Sequence, residues 1–569
     1  MRTPGRQRGA AAVFAGIALL ACLASVVLVI DLGRLFFAQR DMQRMANMGA
    51  LDAARVAGGC FGRRADPQEA AYNEVLASLQ RNGVTSNTGV QILRLDTGRM
   101  VTPGDGLRYF EATSGNARAV RVVLQRPAPV RLIPLFENDD DRERRLEASA
   151  VAYSAPRASV SVNTRLAGVS PPLLRPFADD DEPSLDLVSY RNLLGADVPL
   201  GSIFDFSAGT PDEVLESEIS LSDFLRNVVT ALGATGNAAA QNTAAVIAAN
   251  ADSNRSVVPS QFLFVSDATT DTTTGTLFSA GQLMVAAAQA ANGSDFLDVP
   301  VDLPPPLLEG PVRTRVVTPG RPASLSPGET PDPVEGNYAA NAQGVIEAAP
   351  QLVLPLIGRV TLPIWAEAAE ATAQVTDIEC ARSGVPQETV WIRARSNVAR
   401  IGIGRFDDIS APKPVPQTAT LYDSDAGIPV GPLTLPVHIR LRARGFANVP
   451  SDDETLEYRS PWPQTQSIGR PEGEALRGAI ADLPENLEVE VEIDVLGNSL
   501  PVVPAVVDAA VNQARILIGN ALRTGIADNA TALADALLAP AFSAGGLTLG
   551  GADITVHSVD ADQPFLFTR

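Results

Sequence analysis

From Gly9 to Ile30 the chain reads GAAAVFAGIALLACLASVVLVI, an apolar run without a charge. As a helix it would be about 33 Å long, against a bilayer hydrocarbon core of roughly 30 Å. The pattern then changes without a break. From Asp31 to Ala57 there is no proline, and glycine occurs only at Gly33 and Gly49. Leu35, Ala38, Met42, Met45 and Gly49 recur at spacings of 3, 4, 3 and 4, a narrow apolar stripe on a continuing helix. Two readings of the stripe stand: it packs on the protein's own following domain, or it docks a second membrane-anchored helix. Gly58 and Gly59 then stop the helix, as a C-terminal glycine does.

Beyond Gly59, helical and strand-like patterns alternate. Residues 70–80, 221–250 and 505–538 read as helices, the last with a break around Gly525–Asn529. In LEVEVEIDV, Leu487, Val489, Val491, Ile493 and Val495 alternate with acidic residues, which predicts a half-buried strand with one solvated acidic face. Residues 117–125, 146–153 and 437–443 alternate in the same way. The proline-rich stretch 301–345 reads as a linker that divides the part beyond the helix. The expected organisation is a basic tail (1–8), a transmembrane helix (9–30), a juxtamembrane helix (31–57), an α+β domain (58–300), the linker (301–345) and a second α+β region (346–569). This order of elements predicts an α+β fold, with helices and antiparallel sheet, rather than a parallel α/β fold.

Charge sets the orientation. Arg2, Arg6 and Arg8 precede the apolar run with no acidic residue among them, whereas Asp31, Arg34, Arg40 and Asp41 follow it. The positive-inside rule puts the N-terminus in the cytoplasm and everything after Asp31 outside. A cleaved signal peptide would have a shorter apolar core and a polar start after the cut, yet Val26–Ile30 is strongly apolar. LLAC at Leu19–Cys22 looks like a lipoprotein box, but more apolar sequence follows Cys22. A prepilin cut after Gly9 would need Glu where Phe14 stands. The segment is therefore read as an uncleaved anchor. The formal net charge of −20 argues against a nucleic-acid partner, which would need a basic footprint.

Candidate chemistry is sparse. The chain has two histidines, His438 and His557. His438 alternates with Val437 and Ile439 and is expected on the outer face of a strand; His557, in ITVHSV, has no catalytic pattern around it. No HExxH, zinc-ligand spacing, GxSxG or P-loop is present. The acidic runs at 138–145 and 179–183 lack the regular spacing of a calcium loop and read as solvated loops. FLFVSDATTD places Asp267, Thr269 and Asp271 after an apolar run, similar to the start of the metal-dependent adhesion site of von Willebrand A domains, although Asp271 stands where Ser or Thr is expected. A glycosidase-like carboxylate pair would make a hydrolase, but no two carboxylates are singled out. No cofactor, metal or small-molecule substrate is expected. In an oxidising compartment Cys60 and Cys380 are a candidate disulfide; the rival reading is two free thiols.

The N-terminal stretch RGAAAVFAGIALLACLASVVLVIDLGRLFFAQRDMQRMANMGALDAA resembles the membrane segment of TadG-like proteins of the tight-adherence (Flp pilus) assembly system. The Asp-x-Gly-Arg signature at the membrane exit is matched by Asp31, Gly33 and Arg34, and the glutamine and D-A-A positions that follow by Gln43 and Asp52–Ala54. Residues 148–169, 185–206, 279–293, 360–380 and 547–560 resemble stretches of the same family's large ectodomain, in the same order. The resemblance also implies a cysteine near the C-terminus, which HSVDADQPF lacks, so Cys60 is the only candidate partner for Cys380 outside the anchor. What the resemblance implies is a single-pass inner-membrane protein with a large periplasmic region. It would act without catalysis, as a scaffold or anchor for Flp-type pili in adherence and biofilm formation, beside other membrane-anchored pilus-assembly proteins. The competing expectations are a secreted or surface metal-dependent adhesin and a periplasmic carboxylate-based hydrolase.

Overall fold

One unbroken helix, α1, runs from Gln7 to Ala57; its 51 residues span about 77 Å. The structure, a computed structural model, describes residues 7–57, 67–129, 144–163, 192–327, 338–404 and 417–567, apart from short loops within them. The fold is mixed helix and antiparallel sheet. It divides into two compact units: Met1–Pro156 with Asp377–Pro386 and Ala561–Arg569, and Arg157–Thr376 with Gln387–Asp560.

In the first unit, the two halves of α1 have different surroundings. Phe14, Leu19, Leu20, Leu23 and Leu28 are exposed, and nothing in the most apolar stretch is buried. From Met42 onward the helix turns one face inward: Met42, Met45, Ala46, Ala50, Ala53, Ala54 and Ala57 are buried. Their spacing is that of a helix with one core-facing stripe. Helix α2 (Pro67–Arg81) adds Ala71, Val75 and Leu79 to the same core.

Strands β1 (Gln91–Val101), β2 (Tyr109–Ala112), β3 (Ala119–Pro127) and β4 (Arg145–Tyr153) join the C-terminal strand Phe565–Phe567 in an antiparallel sheet. The order is β2–β1–β3–β4 and then the C-terminal strand. Val120, Val122 and Leu124 of β3 and Ala148, Ala150 and Ala152 of β4 face α1. Alternate residues point to one side of a strand, so this apolar face follows from the sequence pattern. The alanines on both partners let the helix lie close to the sheet.

Two glutamines tie α1 to β4. Gln39 Nε2 donates to the Glu147 carbonyl and Gln43 Nε2 to the Ser149 carbonyl, each at 2.8 Å. Carbonyls two residues apart leave a strand on the same side. Among the described residues the C-terminal strand pairs with Val151–Tyr153. At Glu147 and Ser149 the glutamines occupy the place of a neighbouring strand's N–H groups.

The second unit is built on an eight-stranded sheet. Its path runs through Leu297–Asp298, Val312–Thr318, Gln343–Ala348, Ile364–Ala368, Ala399–Ile403, Leu433–Val449 and Ala419–Val430, with Glu488–Val495 also pairing the long strand Leu433–Val449. Helices Glu472–Asp482 and Pro504–Asp528 and the turns after Asn529 pack on it around Leu476, Ile480, Ile518, Leu522 and Phe542. A separate helical core lies between Leu193 and Ala288, where the Phe224 ring meets Phe204 at a tilt and Phe262 edge to face. The expected helix at 221–250 is two helices, Leu221–Thr235 and Ala238–Ala249, because Gly236 adopts φ 77° and ends the first in a left-handed cap.

The expected linker at 301–345 is a correction. It contributes the strands Val312–Thr318, Ala323–Leu325, Ala339–Ala340 and the start of Gln343–Ala348, and Val312–Thr318 lies inside the eight-stranded sheet. Pro311, Pro319, Pro322 and Pro327 stand just outside these strands, where a missing N–H costs no ladder bond. Proline punctuates strands here and does not separate domains. The compact units accordingly follow neither 58–300 nor 346–569.

Candidate functional site

The first candidate is the outward face of α1. Among the described residues it is the one helix long and apolar enough to cross a membrane, a property it shares with signal sequences. Asp31 and Arg34 lie on one face just after the uncharged run, with their charged atoms 3.9 Å apart. Among the described residues a Cβ on Gly33 would meet nothing within 4 Å, so they give this glycine no packing reason. The stripe divides. Leu35 is exposed and Ala38 half-buried, whereas Met42, Met45 and Gly49 are buried. For these last three the docking reading is corrected: their partners are β3, β4 and α2 of the same unit. Periodicity identified the face, and the chain's own sheet covers it.

The candidate disulfide is placed in part. Cys380 is disulfide-bonded and Cys22 is free, while Cys60 lies outside the described residues. Asp267 and Thr269 also lie outside them; Asp271 falls in the short helix Thr270–Gly275. The run at 179–183, and 138–143 of the other acidic run, fall outside as well. Among the described residues no group of three His, Cys, Asp or Glu side chains is placed to hold a metal. Burial pushes the Glu370 carboxyl up, but its neighbours are Tyr338, which donates to it at 3.3 Å, and Arg321, not a second carboxylate.

His438 lies on the outer face of Leu433–Val449, between the buried Val437 and Ile439. Its Nδ1 is 2.8 Å from Asp425 and its Nε2 2.7 Å from Asp423, both on the neighbouring strand. Arg440 joins Asp423 and Glu492, and Arg444 joins Glu488, so a basic row runs between two acidic ones. These solvent-facing pairs add little stability each. The Asp425 hydrogen bond, helped by Asp423, raises the His438 pKa above its ordinary value. A raised pKa means the stabilisation is complete below the unfolded value of about 6.5 and fades as pH rises through the higher folded value. Histidine-selective NMR should show the His438 imidazole titrating above 6.5. Asp425→Asn should lower that midpoint and His438→Gln remove the signal; an unchanged midpoint in Asp425→Asn would show that the ladder does not hold the imidazole.

His557 has different surroundings. Label the strands of this second unit β5 (Arg157–Asn163), β6 (Asp197–Pro199), β7 (Leu277–Ser279) and β8 (Gly551–Asp560). β8 pairs β5, and β6 pairs β7, with Asp197 opposite Ser279. His557 Nε2 is 2.8 Å from Ser161 Oγ on β5, and its Nδ1 is 2.9 Å from Asp197 Oδ1. Ser161 is 2% exposed and His557 4%. The register explains the aim of the ring. Val556 pairs Val160 and Ser558 pairs Ser159, which leaves His557 as the extra residue of a β-bulge. A bulge redirects the side chain it carries. On the same face Ser558 Oγ donates to Ser159 Oγ at 3.2 Å. A carboxylate only accepts hydrogen bonds, so a neutral His557 carries its proton on Nδ1 toward Asp197. Its Nε2 then accepts from the Ser161 hydroxyl. The pattern ITVHSV did not reveal this, because the three side chains meet only through strand pairing.

No family model, curated protein or solved structure matches the chain.

Proposed function

We propose that this chain is a single-pass inner-membrane protein whose large C-terminal part stands in the periplasm and serves Flp-type pilus assembly as a scaffold or anchor, a role that needs no catalysis. The observation that carries the reading is α1 itself. Among the described residues nothing covers its apolar half, and its other half packs into the core of a folded unit. A protein built this way holds a domain at a bilayer. The sequence resemblance supplies the system, and its partners would be other membrane-anchored assembly proteins. The disulfide at Cys380 fits an oxidising compartment.

The test is thiol labelling in intact cells with an impermeant maleimide, before and after reduction, together with fractionation. The expected result is a full-length protein in the inner membrane whose Cys380 reacts only after reduction. Release of a shorter soluble form would show that the apolar run is a cleaved signal, and labelling of Cys380 without reduction would remove the compartment argument. Cross-linking in cells that express the pilus machinery should capture its membrane-anchored proteins; capture of none of them would overturn the scaffold reading.

A further inference from the structure

The scaffold role makes no use of the Ser161–His557–Asp197 relay. From its geometry we infer that Ser161 is a nucleophile that takes acyl groups from small esters, with His557 as general base and Asp197 as the positioning residue. The two contacts, 2.8 Å from Ser161 Oγ to His557 Nε2 and 2.9 Å from His557 Nδ1 to Asp197 Oδ1, are those of a nucleophile, its base and the group that orients the base. The tautomer that Asp197 imposes leaves the Nε2 lone pair free for the serine proton, which is the form general-base catalysis requires. The arrangement is also held from several directions. Ser161 is fixed by the pairing of β5 with β8, His557 by the bulge in β8, and Asp197 by the pairing of β6 with β7. The Ser279 hydroxyl, opposite Asp197, is bonded to the Leu194 carbonyl at 2.7 Å. No GxSxG elbow is involved. Such relays occur on unrelated folds and in different chain orders, so the geometry identifies this one rather than a local motif.

The relay and one water molecule balance the reaction. Ser161 Oγ attacks the ester carbonyl carbon while its proton passes to His557 Nε2. The carbon–oxygen bond to the leaving alcohol breaks, and the alcohol oxygen takes that proton. An acyl-Ser161 ester remains. Water, deprotonated by the same Nε2, then cleaves it to a carboxylic acid and restores the hydroxyl. Ser161 is 2% exposed, so a donor reaches it only when the strands around it open locally, which favours small acyl groups.

The test uses the full-length protein in detergent, a small alkyl fluorophosphonate and p-nitrophenyl acetate, with peptide mass mapping. The expected result is one phosphonate adduct, on Ser161, and one equivalent of p-nitrophenol released in a burst. Labelling should rise with pH, as a reaction that needs a general base does. Ser161→Ala should abolish the adduct, and His557→Gln and Asp197→Asn should each slow it at least tenfold. A purely structural role for the relay would not produce the pH profile. If the folded wild-type protein, checked by a cooperative melt, gains no adduct at Ser161, or gains adducts across many serines at similar rates, the inference is overturned. The wild-type result suffices if a variant fails to fold. It is also independent of membrane location, so its failure leaves the scaffold reading intact.

Discussion

Leu19→Arg combined with Leu23→Arg should release the full-length protein from the membrane fraction. The two leucines lie one helical turn apart on α1, near the middle of the uncharged run, and both are more than half exposed. An arginine at the centre of a spanning helix costs about 2.5–3.5 kcal/mol on insertion scales. Two on one face approach 5–7 kcal/mol, a factor of roughly 10⁴ in the insertion equilibrium, less whatever snorkelling recovers. The buried half of α1 begins at Met42, several turns away, so the first unit should still fold. Carbonate extraction followed by a thermal melt checks both points. A double variant that stays in the carbonate-resistant pellet would show that this helix is not the anchor.

The second large effect lies at the other end of the same helix. Met42 is fully buried between α1 and the β3–β4 face. Truncating a buried methionine to alanine costs about 2–5 kcal/mol, and more when neighbours cannot fill the space. The next residues along this face, Ala46 and Ala50, are too short to fill it, which argues for the upper part of that range. Leu35→Ala is the matched control, since Leu35 is exposed and surface changes usually stay within about 0.5 kcal/mol. Calorimetry of the full chain should show one transition moving down in Met42→Ala and a second, that of Arg157–Thr376 with Gln387–Asp560, unmoved. Equal shifts in Met42→Ala and Leu35→Ala would mean that the stripe is not packed as described.

These residues show how far the sequence could be read. The apolar run of α1 and its lack of proline are local properties, and the helix Gln7–Ala57 covers the stretch where they predict it. The strand at Glu488–Val495 was equally legible, because alternation fixes which side chains face out. The stripe was legible only as a face: periodicity shows that Met42, Met45 and Gly49 point together, but not whether this chain or another covers them. The segment 301–345 misled because a proline that ends a strand and a proline in a linker look alike without the partner strand. The relay was least visible. Ser161 and His557 are 396 positions apart and Asp197 and His557 360, and only sheet register, with a one-residue bulge, brings them together.

The continuity of α1 has a mechanical consequence. A transmembrane helix joined to its domain by a glycine or proline hinge can swivel, so that tension on the domain is lost in the joint. Here the hydrogen-bond ladder runs from Gln7 to Ala57 without interruption, and Gln39 and Gln43 clamp the helix to the edge of β4 just beyond the uncharged run. With the apolar half in a bilayer, the first unit would ride on a stiff mast. The tilt of the mast would set the heading of the sheet, and a pull on the sheet would reach the bilayer as torque and axial load with no slack to take up.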